Sequence, residues 1–360
     1  MKEALVSAGP KVQVIDSTIP VPEADQVVIK VVISGTNPKD WKRAENNEKA
    51  LNTGDDIAGV VHTVGSDVTE FKTGDRVAAF HQMQAPHGSF AEYALSFAHT
   101  TFHLPKKTSF EEAATIPLAA MTSAFGLYQG LDLPLPWHPA KERLPLIIYG
   151  AASAVGSFAI QLAIQSNIHP LICVAGKSTS HVESLIDKSK GDQVLDYRVG
   201  NDQLVQSLAA AVKNAGGSIE HAFDCICEHG SYLNIAQVLN KETGKIAVIL
   251  PLKDYSDIPK NITPIRTYVG GSQEETDTIY PSNKDTGTQV GNQDFAFAFF
   301  RYFGRGLLKG YFKGHPYEVV PGGLHGVEKA LTDLKNGRAS AVKYVLRLED
   351  TEGVERYSTN

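Results

Sequence analysis

The sequence predicts an α/β chain in which a doubly wound parallel sheet is joined to a separate, barrel-like all-β domain. Three observations predict it. At 360 residues the chain exceeds the roughly 250–300 that a single hydrophobic core serves, so two domains are expected. From Lys2 to about Pro117 the pattern is short β-rich runs split by turn signals. Beyond about residue 120 strands and helices alternate, the grammar of a parallel sheet covered by helices.

In the first half, Gln26–Ser34 (QVVIKVVIS), Ile57–Val64 (IAGVVHTV) and Arg76–Phe80 (RVAAF) are rich in β-branched residues, which suit a pleated, half-buried surface. Gly65-Ser66, Thr73-Gly74-Asp75 and His87-Gly88 supply the turns. Leu131–Arg143 (LDLPLPWHPAKER) is proline-rich and reads as a surface insertion. Then come strand Leu146–Tyr149, helix Ala154–Gln165, strand Leu171–Ala175 and helix His181–Lys188. Gln193–Asp196, Gln203–Lys213, His221–Cys227, Tyr232–Leu239 and Lys245–Leu250 continue the alternation. Ser272–Asp294 is polar and expected to be a mobile loop, and the tail after Leu348 to be frayed. The aromatic run Phe295, Phe297, Phe299, Phe300, Tyr302 and Phe303 reads as a helix in a core, with one or two rings facing a substrate.

Composition narrows the function classes. Hydrophobic residues make up 42% and charged residues 21%, an ordinary globular balance. The net charge of −6 is spread out, and without a basic run nucleic acid is not an expected partner. No apolar stretch of about 18 residues could span a membrane, and Met1–Pro10 lacks the apolar core of a signal peptide. A cytoplasmic location is therefore expected. The three cysteines, Cys173, Cys225 and Cys227, make no disulfide framework. A C-x-C pair is poor zinc spacing, so buried thiols are expected.

The strongest chemical signal is Leu146–Tyr149 running into Gly150-Ala151-Ala152-Ser153-Ala154-Val155-Gly156 and an amphipathic helix. A strand feeding a small-residue turn into a helix presents backbone N–H groups where a pyrophosphate docks. Gly150 permits the tight turn and Gly156 close helix–sheet packing. Ser153 stands where the usual pattern has its middle glycine. Gly150, Ala152, Ser153, Ala154, Val155 and Gly156 are the candidate pyrophosphate contacts. An NAD site wants an acid about 20 residues on. Here the second strand ends in Gly176-Lys177-Ser178-Thr179, with no acid before Glu183. A lysine and hydroxyls suit a 2′-phosphate instead, with Tyr197 flanking the same adenosine end. The expected cofactor is NADPH.

The sequence resembles the medium-chain dehydrogenase/reductase superfamily along nearly its whole length, and within it the zinc-free fungal branch. That branch includes trans-acting enoyl reductases of polyketide assembly and ToxD-like reductases, close to the quinone oxidoreductases. The resemblance rests on Thr36–Lys42 (TNPKDWK), Gly54–Gly59 (GDDIAG), Gly74–Val77 (GDRV), Gly88–Tyr93 (GSFAEY), Asp196–Arg198 (DYR), Asp224–Ile226 (DCI) and Gly337–Lys343 (GRASAVK). It implies a GroES-like catalytic domain over residues 1–120, a Rossmann NADPH domain over 121–304, and a return to the catalytic domain with a tail over 305–360. Leu250 and Lys343 join the implied cofactor contacts. Members of the superfamily occur as monomers, dimers and tetramers.

Departures from the zinc alcohol dehydrogenases are informative. Those enzymes place a cysteine before the stretch aligned with Asn37–Asp40 and a His–Glu pair within the one aligned with Gly54–Gly59. Here stand Thr36 and Asp55-Asp56, no cysteine precedes Cys173, and the histidines show no ligand spacing. No metal is expected. Without one, the easier task is hydride addition to a C=C conjugated to a carbonyl, whose developing enolate a hydrogen-bond donor can hold. The resemblance carries that role to Lys42 and Thr122. The tyrosine of the mitochondrial enoyl reductases is missing between Gly35 and Val60. Asp55 and Asp56 are expected to be structural, fixing Lys42 or a backbone turn. The substrate is an electron-poor alkene or carbonyl compound, free or carrier-tethered. Reduction of an aldehyde, ketone or quinone is the alternative, and a non-catalytic NADPH-binding protein a third reading.

Overall fold

The computed structural model describes residues 1–46, 49–274 and 292–356. The chain divides into two units, Met1–Leu118 with Gln293–Asn360, and Ala119–Asn292.

The first unit opens with the antiparallel pair β1 (Lys2–Ser7) and β2 (Lys11–Asp16). There follow β3 (Gln26–Gly35), helix α1 (Pro38–Ala44), β4 (Asp56–Val64), β5 (Arg76–Phe80), β6 (Tyr93–Phe97), β7 (Thr101–His103) and the short helix α2 (Phe110–Ala113). Helix α3 (Pro117–Ala124) leads into the second unit. That unit comprises β8 (Leu146–Tyr149), α4 (Ala154–Gln165), β9 (Leu171–Ala175), α5 (Thr179–Glu183), β10 (Gln193–Asp196), α6 (Asn201–Asn214), β11 (His221–Asp224), α7 (Ser231–Val238), β12 (Lys245–Val248) and β13 (Thr263–Arg266). The return is made by α8 (Gln293–Lys309), β14 (Tyr317–Val319), α9 (Val327–Lys335) and β15 (Lys343–Arg347).

Strands of the first unit form a seven-stranded sheet in the order β14-β15-β3-β4-β5-β7, with β6 on β3. Val27, Ile29, Ile57, Val77 and Phe90 lie at its core with Leu324, Val327 and Leu331 of the return. The return begins earlier than residue 305, because α8 packs on β7. Phe300 stacks on Phe102 at 5.9 Å, and Phe299, Phe300 and Phe303 are fully buried. Arg301 clamps the same place, donating to the carbonyls of Ala98 (3.1 Å), His99 (2.9 Å) and Thr101 (3.0 Å). The aromatic run is thus a core helix of the first unit.

The second unit is a six-stranded, wholly parallel sheet ordered β10-β9-β8-β11-β12-β13. In such an order ligands bind past the strand ends where the winding reverses, here between β8 and β11. Several elements are shorter than expected. β11 stops at Asp224 because its carboxylate accepts the N–H groups of Ile226 and Cys227, both at 2.9 Å, closing a turn. The three cysteines are free and buried. Burial pushes their thiols up, Cys227 to about 12.

Of the expected mobile loop, residues 275–291 lie outside the described residues, while Ser272 sits in a 3₁₀ turn and Asp294 in α8. The chain past Leu348 is not frayed at its start. Leu348 is buried, and the Thr351 hydroxyl accepts from Leu324 N–H at 2.8 Å; only residues 357–360 fall outside the description.

Candidate active site

The turn after β8 is built by three small residues with separate tasks. Gly150 has φ +74°, and a Cβ there would lie 2.4 Å from Ile226; only glycine tolerates both conditions. A Cβ on Gly156 would meet the Gly150 carbonyl oxygen at 2.3 Å, so this glycine lets α4 sit directly on the turn. Ser153, the departure from the glycine pattern, is the N-cap of α4, and its Oγ accepts from Gly156 N–H at 3.0 Å. The cap takes one of the first-turn donors. The N–H groups of Ala154 and Val155 have no intrahelical acceptor, by helix geometry, and stand at the positive end of α4. Ala152 completes the turn before the cap. These groups fit a pyrophosphate.

Next to that turn, β9 ends at Ala175 and passes into the buried Gly176. Lys177 itself is exposed, and Ser178 and Thr179 are half-buried at the start of α5. Tyr197 covers the loop from the β10 side. A Cβ on Gly176 would meet its ring at 2.6 Å, and the ring stacks on Tyr149 at 6.5 Å and 23°. A cation, two hydroxyls and an aromatic wall thus stand together beyond β9. Leu250 follows β12, its carbonyl held by Tyr255 Oη at 3.1 Å.

Thr122 is buried on α3. Its neighbour Ser123 hydrogen-bonds the carbonyls of Ala119 (2.9 Å) and Val155 (2.8 Å), tying α3 to the first turn of α4. Lys42 lies half-buried on α1, its ammonium 5.6 Å from the Trp41 ring centroid.

Lys343 has different partners from those expected. Its ammonium is buried and donates to Asp56 Oδ2 at 2.5 Å and Asn37 Oδ1 at 2.9 Å. Asp56 also accepts from Asn37 Nδ2 and from Leu118 N–H, each at 2.7 Å. One carboxylate thus joins β15, the N-cap of α1 and the first turn of α3. Asp56 is structural, as read, but it fixes Lys343 and Asn37 rather than Lys42.

Sequence reasoning missed a second buried cluster beside it. Lys39 forms ion pairs with Asp40 at 2.8 Å and with Asp55. Asp55 meets His81 Nδ1 at 2.9 Å, and His81 Nε2 donates to the Pro86 carbonyl at 2.8 Å. Asp40 reaches back to Asn37 N–H at 2.7 Å, one half of a capping box. The signal was available: Asn37-Pro38-Lys39-Asp40 is an N-cap, a proline at N1 and an acid at N3. Burial pushes the Asp40 carboxyl up to about 7, against the pull of Lys39. Burial also acts upward on Asp55, but Lys39 and His81 together outweigh it and hold that carboxyl low. Among the described residues no group of three or more His, Cys, Asp or Glu side chains is gathered as a metal would require.

A parallel sheet wound outward from β8, a glycine turn at its reversal point and an attached β unit together define a medium-chain dehydrogenase/reductase. Residues 23–106 match the alcohol dehydrogenase GroES-like domain. The chain is 50% identical over 330 residues to the trans-enoyl reductase fsr4 of Gibberella fujikuroi, covering 91% of this chain and 92% of that one. It is 27% identical over 337 residues to the enoyl reductase component lovC of the lovastatin nonaketide synthase of Aspergillus terreus, covering 90% of each. The CurK enoyl reductase has the same fold, with a TM-score of 0.74 at 18% identity, covering 96% of this chain and 98% of that one. The chain belongs to the trans-enoyl reductase family of this superfamily. No helix among the described residues is long and apolar enough to cross a membrane.

Proposed function

We propose that this protein reduces a C=C bond conjugated to a carbonyl, with NADPH as reductant, on a small substrate that arrives free or tethered to a carrier protein. The observation that carries the reading is the 50% identity, along nine-tenths of the chain, to a protein named as a trans-enoyl reductase. The choice of NADPH is supported by Lys177, Ser178 and Thr179 beyond β9, where no acid stands from Leu171 to Thr179. The three free, buried thiols support a reducing, cytoplasmic setting.

When bound, the nicotinamide cofactor supplies the hydride. The chain's own tasks are binding and charge stabilisation. The Ala154 and Val155 N–H groups would hold the cofactor's pyrophosphate, and Lys177 with the two hydroxyls would hold its 2′-phosphate. Lys42 and Thr122 are each a candidate donor to the carbonyl oxygen on which negative charge grows, a contribution that rises toward the transition state.

The test is NADPH oxidation, followed by the loss of the reduced nicotinamide's absorbance, with an enone, its saturated ketone and a quinone. Turnover of the enone alone is expected. Turnover of the ketone or quinone instead makes the protein a carbonyl or quinone reductase, and tight NADPH binding without turnover makes it a binding protein. Lys42→Ala and Thr122→Val are each expected to lower kcat/KM, by about 100- to 1,000-fold if the donor is fully lost, the scale of one lost oxyanion donor.

A further inference from the structure

A dinucleotide phosphate presents two anionic groups that share one ribose, so their separation is fixed by covalent bonds. A protein that holds both must therefore hold its two loops at a matching distance. Loops ordered only on binding would lose affinity to that ordering.

The second unit contains a side-chain link between these two loops. Ser157 lies in the second turn of α4 and is 1% exposed. It belongs to the pyrophosphate turn: its N–H donates to the Ser153 carbonyl at 2.8 Å, and its Oγ reaches the Ala151 carbonyl at 3.4 Å. The same Oγ meets His181 Nε2 at 3.1 Å. With the hydroxyl proton directed at Ala151, the imidazole is the donor in that bond. His181 sits one turn into α5, and its own N–H donates to the Ser178 carbonyl at 3.2 Å. The positions of Ser178 and Thr179 therefore follow that of His181. From the opposite side, Tyr197 bears on Gly176. The 2′-phosphate loop is thus gripped at both ends, by an aromatic ring and by a hydrogen bond rooted in the pyrophosphate turn.

We propose that the Ser157–His181 hydrogen bond sets the distance between the pyrophosphate turn and the loop Gly176–Thr179, which makes His181 a positioning residue for NADPH selectivity. The inference rests on the NADPH reading above. His181 acts through the loop, so its removal weakens the ligand that uses both loops and spares the one that uses only the turn.

The experiment measures Kd by calorimetry for NADPH, NADH and 2′,5′-ADP on the full chain, with kcat and KM(NADPH) on the enone. Variants are His181→Ala, His181→Gln and Ser157→Ala. For His181→Ala and Ser157→Ala, Kd for NADPH and 2′,5′-ADP is expected to rise about tenfold, the scale of one lost hydrogen bond at its upper end. For His181→Ala, which lies outside the pyrophosphate turn, Kd for NADH and kcat should stay within about twofold. His181→Gln, which keeps an N–H donor at similar reach, should restore most of the NADPH preference. A wild type that binds NADH as tightly as NADPH overturns the cofactor reading, and this inference with it. A wild type that prefers NADPH, with His181→Ala and Ser157→Ala keeping the same preference, overturns the inference alone. Equal weakening of NADPH and NADH in His181→Ala also overturns it, since that is what general loosening of α5 would do.

Discussion

Buried charge is where single residues matter most. The Lys343–Asp56 pair lies among buried groups, so removing one partner strands the other in a poorly solvated place. Lys343→Met is expected to cost about 3–5 kcal/mol, read as a lower midpoint in urea unfolding. The double variant Lys343→Met/Asp56→Asn should recover part of that loss, because the two changes are coupled. Asp40 and Asp55 give opposite pH dependences. Asp40 titrates near 7 in the folded chain against an ordinary 3.8, so the native state holds the extra proton and stability falls as pH rises from about 4 through 7. Asp55 is held low, so its contribution is present above the ordinary value and is lost as pH falls through the folded one. Asp40→Asn is therefore expected to flatten the decline in Tm between mildly acidic and alkaline buffer. An unchanged slope would show that Asp40 is already ionised at acidic pH. None of this was visible from residue types alone. Asp55-Asp56 reads as an acid pair, and only the fold sends one to Lys343 and the other to Lys39 and His81.

Among the elements, the junction of β8 and α4 was the most legible. Its task is local, and Gly150, Ser153 and Gly156 lie within seven residues of one another. The sequence marked Ser153 as a departure, and the structure shows what the side chain does there: it caps α4 by accepting from Gly156 N–H. Gly156→Ala forces α4 off the turn, since the added carbon falls 2.3 Å from the Gly150 oxygen. It is expected to cost about 1–3 kcal/mol, the range for overpacking, and to raise the NADPH Kd. Thermal unfolding and calorimetry check both. α5 was less legible. Its expected span, His181–Lys188, shrank to Thr179–Glu183, because Ser178, His181 and Ser184 hydrogen-bond one another's backbone across a single turn. Such local competition is what propensity does not resolve.

Across the whole molecule, chain order has consequences for folding. The second unit is inserted between two parts of the first, and β15 pairs with β3. A chain ending at Asn292 lacks that strand and the buried rings of α8, while β8–β13 remain complete. It is expected to leave the first unit unfolded and the second protected. Limited proteolysis should then cut before Ala119 and spare a fragment near Ala119–Asn292; equal resistance of both halves would contradict this. Local pattern did not place the return correctly. Aromatic periodicity identifies a core helix without naming the core, and only the docking of Phe300 on Phe102 assigns α8 to the first unit.

Local chemistry, set by near neighbours in the chain, was determined by the sequence. This covers the two regimes, the order of strands and helices, the glycine turn and the run of a lysine and two hydroxyls, Lys177–Thr179, after the second parallel strand. Each depends on backbone conformation or side-chain type within a few residues. The tertiary structure decided which charges meet: Lys343 with Asp56 and Asn37, Lys39 with Asp40 and Asp55, Ser157 with His181. Those pairings are selected by burial, which makes an unpartnered charge or polar group costly. Burial depends on contacts between residues as much as 306 positions apart, which no local pattern encodes.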